Sequence, residues 1–117
     1  MRHTGSWQRM TVHVAERHRR DQPLAVTRLL RRAAAQGVAG GTVFAGCAGF
    51  GRHHHLHRAG YLHGLDETPL VLVVVDRPDR LRALRQVVDE LLPDALVVVD
   101  DVDVIHYVRH PTRAPKS

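Results

Sequence analysis

The residues best suited to chemistry lie together in the middle of the chain. Gly46, Gly49 and Gly51 fall within six positions, and Arg52 follows directly. Glycines allow positive φ angles and a close approach of a ligand to the backbone, and an arginine pairs with phosphate or carboxylate. The segment is neither a dinucleotide-binding fingerprint nor a phosphate loop, because no helix is predicted after it and no Gly-Lys-Ser/Thr occurs. It predicts an anion-binding loop; the alternative is that the glycines only shape a turn.

A run of histidines follows in the same segment. His53, His55 and His57 stand at alternate positions, so all three lie on one side of the chain where it is extended. Three imidazoles on one side can bind zinc, nickel or copper. No cysteine or carboxylate stands beside them at ligand spacing. The pattern therefore leaves two interpretations open: a metal site at these three residues, or a solvated polar loop tip.

No residue pattern predicts catalysis. Cys47 is the one cysteine of the chain and has no base at a definable spacing, so we interpret it as a small strand or loop residue. A single cysteine also excludes a disulfide framework. Asp100, Asp101 and Asp103 lie among valines, where paired acids are conceivable but a solvated strand end is the preferred interpretation. We expect a protein that is not an enzyme and has no catalytic residues.

Composition and charge limit the partners. The chain has 117 residues, 44% of them hydrophobic, which predicts one globular domain. Up to Gly60 there are ten arginines against two acidic residues, which indicates either an anionic partner or a solvated face. Nucleic acid is disfavoured, because stacking aromatics are not interleaved with the basic residues. No apolar run reaches the roughly 18 residues of a membrane span and no apolar signal core begins the chain, so we expect a cytoplasmic protein without a membrane span.

Two strand–helix–strand halves must position these residues. Loose alternation over 7–14 predicts the first strand. Pro23 is predicted in the first turn of a helix whose apolar residues recur at helical spacing over 26–34. Gly37 stands where a helix commonly ends. A second strand is predicted over 41–47.

The second half repeats this order. An apolar run over 70–75 predicts a strand, and Asp76 and Pro78 are predicted to open an amphipathic helix. A strand over 95–99 and a further short extended segment over 102–107 follow. This βαββαβ order predicts an α+β, ferredoxin-like fold: a four-stranded antiparallel sheet with two helices on one face and a long loop between strands 2 and 3.

Two features of this arrangement point to function. The segments 70–75 and 96–99 are apolar at every position, yet the helices can cover only one face of the sheet. The simplest expectation is that another subunit covers the other face, and the alternative is a strand buried on both faces in another fold. The loop between strands 2 and 3 has 22 residues between Gly46 and Pro69 and no regular pattern of its own. Loops of this length are often functional.

The motifs also resemble a known family. The segment 37–46, Gly-Val-Ala-Gly-Gly-Thr-Val-Phe-Ala-Gly, and the Gly49-Phe50-Gly51 that follows resemble the signature of domain-of-unknown-function family 190. The segments 69–76 and 102–107 are similar to the same family, and the resemblance covers roughly 8–107. That family resembles a branch of the PII-like superfamily. We predict one PII-like domain over 7–107, with flexible ends at 1–6 and 108–117.

The resemblance implies a homotrimer whose open sheet faces pack together. It implies clefts between subunits that bind a small anionic ligand, such as an adenine nucleotide, and a mobile loop over 47–68 that engages a partner protein. We place Thr42, Gly49, Gly51 and Arg52 at the ligand.

The chain also differs at two places from the sequence pattern of the families that it resembles. Ala45 stands where family members often have arginine, and the link 91–94 leaves no phosphate loop after the second helix. The ligand therefore stays open between a mononucleotide, a diphosphate, another anion or no nucleotide. The predicted function is a non-catalytic, PII-like regulatory protein. The alternative is a metal-binding or metal-sensing protein that uses the histidine-rich loop.

Overall fold

Both predicted strand–helix–strand halves are present. The computed structural model describes residues 3–17, 21–50, 57–58 and 67–108. The first strand is longer at both ends than the predicted strand over 7–14. The elements in chain order are β1 (His3–Glu16), α1 (Ala25–Ala35), β2 (Gly40–Ala45), β3 (Ala48–Gly49), β4 (His57–Arg58), β5 (Thr68–Asp76), α2 (Pro78–Leu91) and β6 (Leu96–Val104).

Four of the strands form one antiparallel sheet in the order β2-β5-β1-β6. Both helices lie on the same face of this sheet, because their buried residues join a single core cluster with alternate residues of β1 and β5. β2 and β6 are the edges, while β3 and β4 pair separately with each other. This is the ferredoxin-like arrangement, and the predicted fold class is confirmed.

Strand alternation decides which residues enter the core. Met10 and Val12 of β1 and Leu72 and Val74 of β5 are completely buried, whereas Val73 is only half-buried. Successive side chains of a strand point to opposite faces of a sheet, so each central strand contributes one set of residues to the core and leaves the other set uncovered. The helices supply Val26, Leu29, Ala33, Leu81, Leu84, Val87 and Val88.

The start of α1 depends on a residue from β1. The sequence predicts that the helix includes Pro23, but it begins at Ala25 with Leu24 as the N-cap residue. Leucine offers no side-chain acceptor to the first N–H groups of a helix. The Glu16 carboxylate accepts instead, with Oε1 2.7 Å from the Ala25 nitrogen and Oε2 2.9 Å from the Val26 nitrogen. Its negative charge also suits the positive end of the helix dipole, so the tertiary contact fixes where the helix begins.

The end of α1 follows the prediction. Gly37 has a φ of 77°, the left-handed conformation in which glycine is favoured after a helix. Its N–H donates to the Ala34 carbonyl at 3.1 Å, and the Val38 N–H donates to the Ala33 carbonyl at 3.0 Å. These two bonds satisfy carbonyl groups of the last helical turn and direct the chain into β2.

Asp76 joins the two halves of the fold. It is completely buried at the end of β5, and its carboxylate accepts the Arg77 N–H at 2.7 Å and the Ala39 N–H at 2.9 Å. Arg80 Nε lies 4.0 Å from the same carboxylate, and Arg80 also donates to the Gly37 carbonyl at 3.3 Å. The sequence places Asp76 as a residue that opens α2. The structure shows that it also holds the start of β2, which comes from the other half of the chain.

β6 is one unbroken strand, whereas the sequence predicts an end at Val99 and a separate extended segment afterwards. Asp100 and Asp101 remain in the strand because both pair with β1. Arg9 Nη2 lies 2.6 Å from Asp100 Oδ2, and the Gln8 amide donates to Asp101 Oδ1 at 3.3 Å. These partners are about ninety residues away in sequence, so local pattern could not reveal them.

Both helices are short. α1 has 11 residues and α2 has 14, which corresponds to about 16 and 21 Å at 1.5 Å per residue. Across the described ranges, no helix has the length and apolar character needed to cross a membrane. The outward side of α1 carries Arg28, Arg31 and Arg32, all exposed, as its amphipathic pattern predicts.

Replacing Glu16 tests the long-range cap of α1. We expect Glu16→Ala to lower the free energy of unfolding by about 1–2 kcal/mol, because two helix N–H groups lose their acceptor. Glu16→Gln keeps one carbonyl acceptor and should fall between the wild type and Glu16→Ala. Urea denaturation at a fixed protein concentration near pH 7 measures both effects. Glu90→Ala, at an exposed position of α2, is the control. Equal stability of Glu16→Ala and Glu90→Ala would contradict the capping role.

Candidate functional site

The sheet face away from the helices is largely apolar and uncovered. Cross-strand pairing sets Phe44, Val71, His13 and Leu96 in one row across the sheet. Phe44, on one edge strand, is 55% exposed and Leu96, on the other edge strand, is 64% exposed, so the row has a large uncovered apolar side chain at each end. We call this surface the open face. It comprises Trp7, Arg9, Thr11, His13, Thr42, Phe44, Val71, Val73, Val75, Leu96, Val98, Asp100 and Val102.

The sequence prediction that 70–75 and 96–99 present apolar residues to both faces is confirmed. Leu70, Leu72 and Val74 point into the core, and the residues between them belong to the open face. In the neighbouring row, Thr42 and Val98 occupy the outer strands, and Val98 is 45% exposed. The helices therefore cover only half of the aliphatic residues that β5 provides.

A paired charge marks one end of the open face. Arg9 Nη2 lies 2.6 Å from Asp100 Oδ2, and Arg9 Nε donates to Asp100 Oδ1 at 3.1 Å. The hydrogen bonds that Arg9 donates to Asp100, together with the negative charge of that carboxylate, raise the pKa of the Arg9 guanidinium. This bidentate geometry satisfies both groups within the chain. Trp7, close to this pair, stacks at a tilt on Tyr107 with ring centroids 5.8 Å apart, so the segment after β6 covers this corner.

Two glycines of the predicted anion-binding loop pack against Pro69. The Gly46 N–H donates to the Pro69 carbonyl at 2.8 Å. A Cβ atom at Gly46 would lie 3.2 Å from Pro69 Cγ, and one at Gly49 would lie 3.3 Å from Pro69 Cβ. Both distances are tighter than ordinary side-chain packing. These glycines therefore have a structural role in closing the base of the loop, besides any contact with a ligand.

The loop contains regular structure, whereas the sequence predicts none. Residues Ala48–Gly49 form β3, which pairs antiparallel with β4 at His57–Arg58, and Gly49 is the register partner of His57. Each of these strands has only two residues, which is too few to leave a periodic signal in the sequence. The two strands that pair are also separated by several residues of the loop. The pairing brings one residue of the predicted ligand site opposite one residue of the predicted metal site.

The predicted ligand residues lie in different places. Thr42 is exposed on the open face of β2, and Gly49 is half-buried against Pro69. Thr42 and Gly46 are four positions apart, a distance of about 13 Å along a strand, so the hydroxyl of Thr42 is not next to these glycines. Gly51 and Arg52 lie outside the described residues, and their part in the site stays a prediction.

The metal prediction rests mainly on residues outside the described ranges. His53 and His55 are among those residues, and only the backbone of His57 is described, in β4. Within the part of the chain that the structure describes, no three His, Cys, Asp or Glu side chains come together in a way that could hold a metal ion. Metal binding at the three histidines stays a prediction.

A concave surface lies on the helix side of the sheet. It is a groove between α2 and the edge strand β6, lined by Arg85, Val88, Asp89, Val97 and Val99. It combines an apolar floor with one charge of each sign. None of the residues predicted to bind a ligand or a metal lines this groove.

The open face carries groups that sequence reasoning did not assign to a site. His13 stands within an apolar row, and Arg9 and Asp100 form the bidentate pair. The alternation of β1 places Arg9 and His13 on the side opposite Met10, so this part of the signal is present in the sequence. The partners of both residues come from β5 and β6, and only the pairing register identifies them.

Comparison with known proteins agrees with this architecture. Residues 7–104 match the model of domain-of-unknown-function family 190, described as an uncharacterized ACR. The nitrogen regulatory PII-like protein CPII from Thiomonas intermedia K12, solved with ADP, AMP and bicarbonate, superposes with a TM-score of 0.62 at 18% identity, covering 87% of this chain and 91% of that chain.

Two further solved structures share the fold. A PII-like signalling protein from Thermus thermophilus has a TM-score of 0.59 at 19% identity, covering 86% of this chain and 90% of that chain. The divalent ion tolerance protein CutA1 from Ehrlichia chaffeensis has a TM-score of 0.58 at 7% identity, covering 86% and 84%. The fold is thus shared by PII-like and CutA proteins. Because the family model spans both helices and all four strands of the main sheet, the chain belongs to domain-of-unknown-function family 190.

Proposed function

We propose that this chain is a non-catalytic, PII-like regulatory protein of the cytoplasm. It assembles as a homotrimer through the open face and binds a small anionic ligand in the clefts between subunits. The observation that carries the proposal is the open face itself: an uncovered, largely apolar surface on a single copy, in a fold shared with PII-like proteins. A regulatory role requires that ligand binding change what the protein presents to a partner.

The open face supports self-association. Exposed apolar patches of this kind mark interaction sites, and complete burial of one Val or Leu side chain contributes about 1.5–3 kcal/mol. Phe44, Leu96 and Val98 are the most exposed apolar members of the face. Several such side chains in each subunit offset the cost of association. The charged members Arg9 and Asp100 are already paired with each other, so their burial leaves neither charge without a partner.

The short link between α2 and β6 favours a small anion over a triphosphate as the ligand. α2 ends at Leu91 and β6 begins at Leu96. The Leu92 N–H donates to the Val88 carbonyl at 2.7 Å, and the Ala95 N–H donates to the Leu92 carbonyl at 3.1 Å. This tight link leaves no phosphate loop. CPII was solved with ADP, AMP and bicarbonate, and ligands of that size, AMP or ADP above all, are the ones that we propose here.

The ligand is proposed to act through the loop over 47–68. Gly46 and Gly49 hold the base of the loop against Pro69, and Gly51 and Arg52 come shortly after them in the sequence. Backbone N–H groups at the glycines and the guanidinium of Arg52 would hold the anion. A ligand that binds one loop arrangement more tightly than another shifts the population toward it. The loop then presents a different surface to a partner protein.

Metal binding at His53, His55 and His57 is the second candidate. One observation favours it: β4 is extended at His57, and an extended chain is the conformation in which the three imidazoles share a side. CutA1, which has the same fold, is a divalent ion tolerance protein. Zinc, nickel and copper therefore belong in any ligand panel for this protein.

Charge placed on the open face tests the assembly. We expect Val98→Asp to convert a homotrimer into a folded monomer, because the carboxylate would have to be buried without a partner. Val98 is 45% exposed in one chain, so the monomer itself tolerates the change. Ala83→Asp, at an exposed position of α2, is the matched control and should stay trimeric. Light scattering after gel filtration distinguishes the states. A monomeric wild-type protein at micromolar concentration would contradict the proposal.

The ligand is tested with AMP, ADP, ATP, bicarbonate and the three metals. We expect AMP or ADP to raise the melting temperature, and Arg52→Ala to weaken nucleotide binding about 10-fold or more in calorimetry, because a charged hydrogen bond contributes about 1.5–3 kcal/mol. Arg31→Ala, at an exposed position of α1, removes the same charge elsewhere and should bind normally. If no nucleotide shifts the melting temperature, or Arg52→Ala binds as tightly as the wild type, the proposed cleft is wrong.

A further inference from the structure

His13 stands in the apolar part of the open face. Its register partners are Val71 on β5 and Leu96 on β6, and Thr11 is the next residue of β1 on the same side. His13 is exposed in a single copy. If other copies cover the open face, the imidazole is buried among aliphatic side chains. An imidazole changes charge between about pH 5 and 8, so this position can respond to acidification.

The described strand residues directly beside His13 carry no charge. β2 is neutral along its whole length, and the neighbouring positions of β5 and β6 are aliphatic. Arg9 and Asp100 lie about 13 Å away along the strands and are bonded to each other. Among the other described residues at this end, Glu16 accepts the first N–H groups of α1, and Arg17, Glu67 and Asp94 each have an interaction partner. The short strand β4 also carries His57 and Arg58.

We propose that His13 makes the assembly pH-sensitive: copies of this chain associate through the open face only while His13 is neutral, and they separate on acidification. This inference rests on the proposed homotrimer. A protonated imidazole in the covered face is a charge buried without a partner, which is strongly disfavoured. In a closed assembly each subunit contributes one such group, so the cost is repeated at every copy.

The direction of the pH effect follows from proton linkage. If only the dissociated chain can bind a proton at His13, the dissociated state binds more protons and gains stability as pH falls. Assembly is therefore complete above the imidazole titration range and is lost below it. For three subunits, the association constant falls by up to about 10³-fold for each pH unit below the midpoint of that range.

The test is sedimentation velocity of the full chain over a dilution series at pH 7.5 and pH 5.5. Circular dichroism at both pH values reports whether the chains stay folded. We expect the wild type to be trimeric at pH 7.5 and a folded monomer at pH 5.5. His13→Gln, which cannot titrate, should stay trimeric at both values. His13→Lys, which carries a fixed charge, should be monomeric at pH 7.5. His106→Gln, after the end of β6, is the control for another histidine and should behave as the wild type.

The outcomes separate this inference from the proposed function. A wild type that is trimeric at both pH values overturns the role of His13 but leaves the trimer standing. A wild type that is monomeric at pH 7.5 overturns both. Equal dissociation of the wild type and His13→Gln at pH 5.5 overturns the inference, because other groups then carry the effect. A trimeric His13→Lys at pH 7.5 overturns it as well.

Discussion

The structure depends on one constraint: two helices can cover only one face of a sheet in which β5 and the first half of β6 are aliphatic on both faces. β5 contributes Leu72 and Val74 to the core and leaves Val71 and Val73 on the open face. Within the described ranges, a single chain has no further element to cover them. The core is complete without the open face, so one copy can fold, but the uncovered surface favours association. In the proposed assembly, other copies of the chain cover the aliphatic residues that the helices leave exposed.

Two carboxylates hold the helices on their side of the sheet. Glu16 ends β1 and caps α1, while Asp76 ends β5 and accepts N–H groups from both the link before β2 and the link before α2. Three of these four bonds reach a helix or strand that starts elsewhere in the chain, whereas the Arg77 N–H belongs to the residue directly after Asp76. Neither helix has a side-chain cap from its own N-cap residue, Leu24 or Arg77. Glu16 thus replaces a local cap of α1, and Asp76 joins the start of β2 to the start of α2.

The glycine-rich loop connects architecture with the proposed ligand. A Cβ atom at Gly46 or Gly49 would crowd Pro69, and β3 and β4 pair with each other within the loop. Gly51 and Arg52 come shortly after these glycines in the sequence. In the proposed function, a ligand held at these residues acts on the loop that we propose as the surface for a partner.

The sequence alone determined the order of the helices and of the four main-sheet strands, the end of α1 at Gly37 and the conflict between aliphatic strands and one-sided helices, because glycine conformation and residue periodicity are local properties. The short strands β3 and β4 left no such signal. The resemblance to the family added the expectation of a trimer with ligand clefts between subunits. The tertiary structure alone decided that Glu16 caps α1, that Asp100 pairs with Arg9, and that His13 stands between Val71 and Leu96. The first of these contacts joins residues nine positions apart across the link between β1 and α1. The other two join residues that are distant in sequence, and strand register, which sets them, is fixed by packing of the whole sheet.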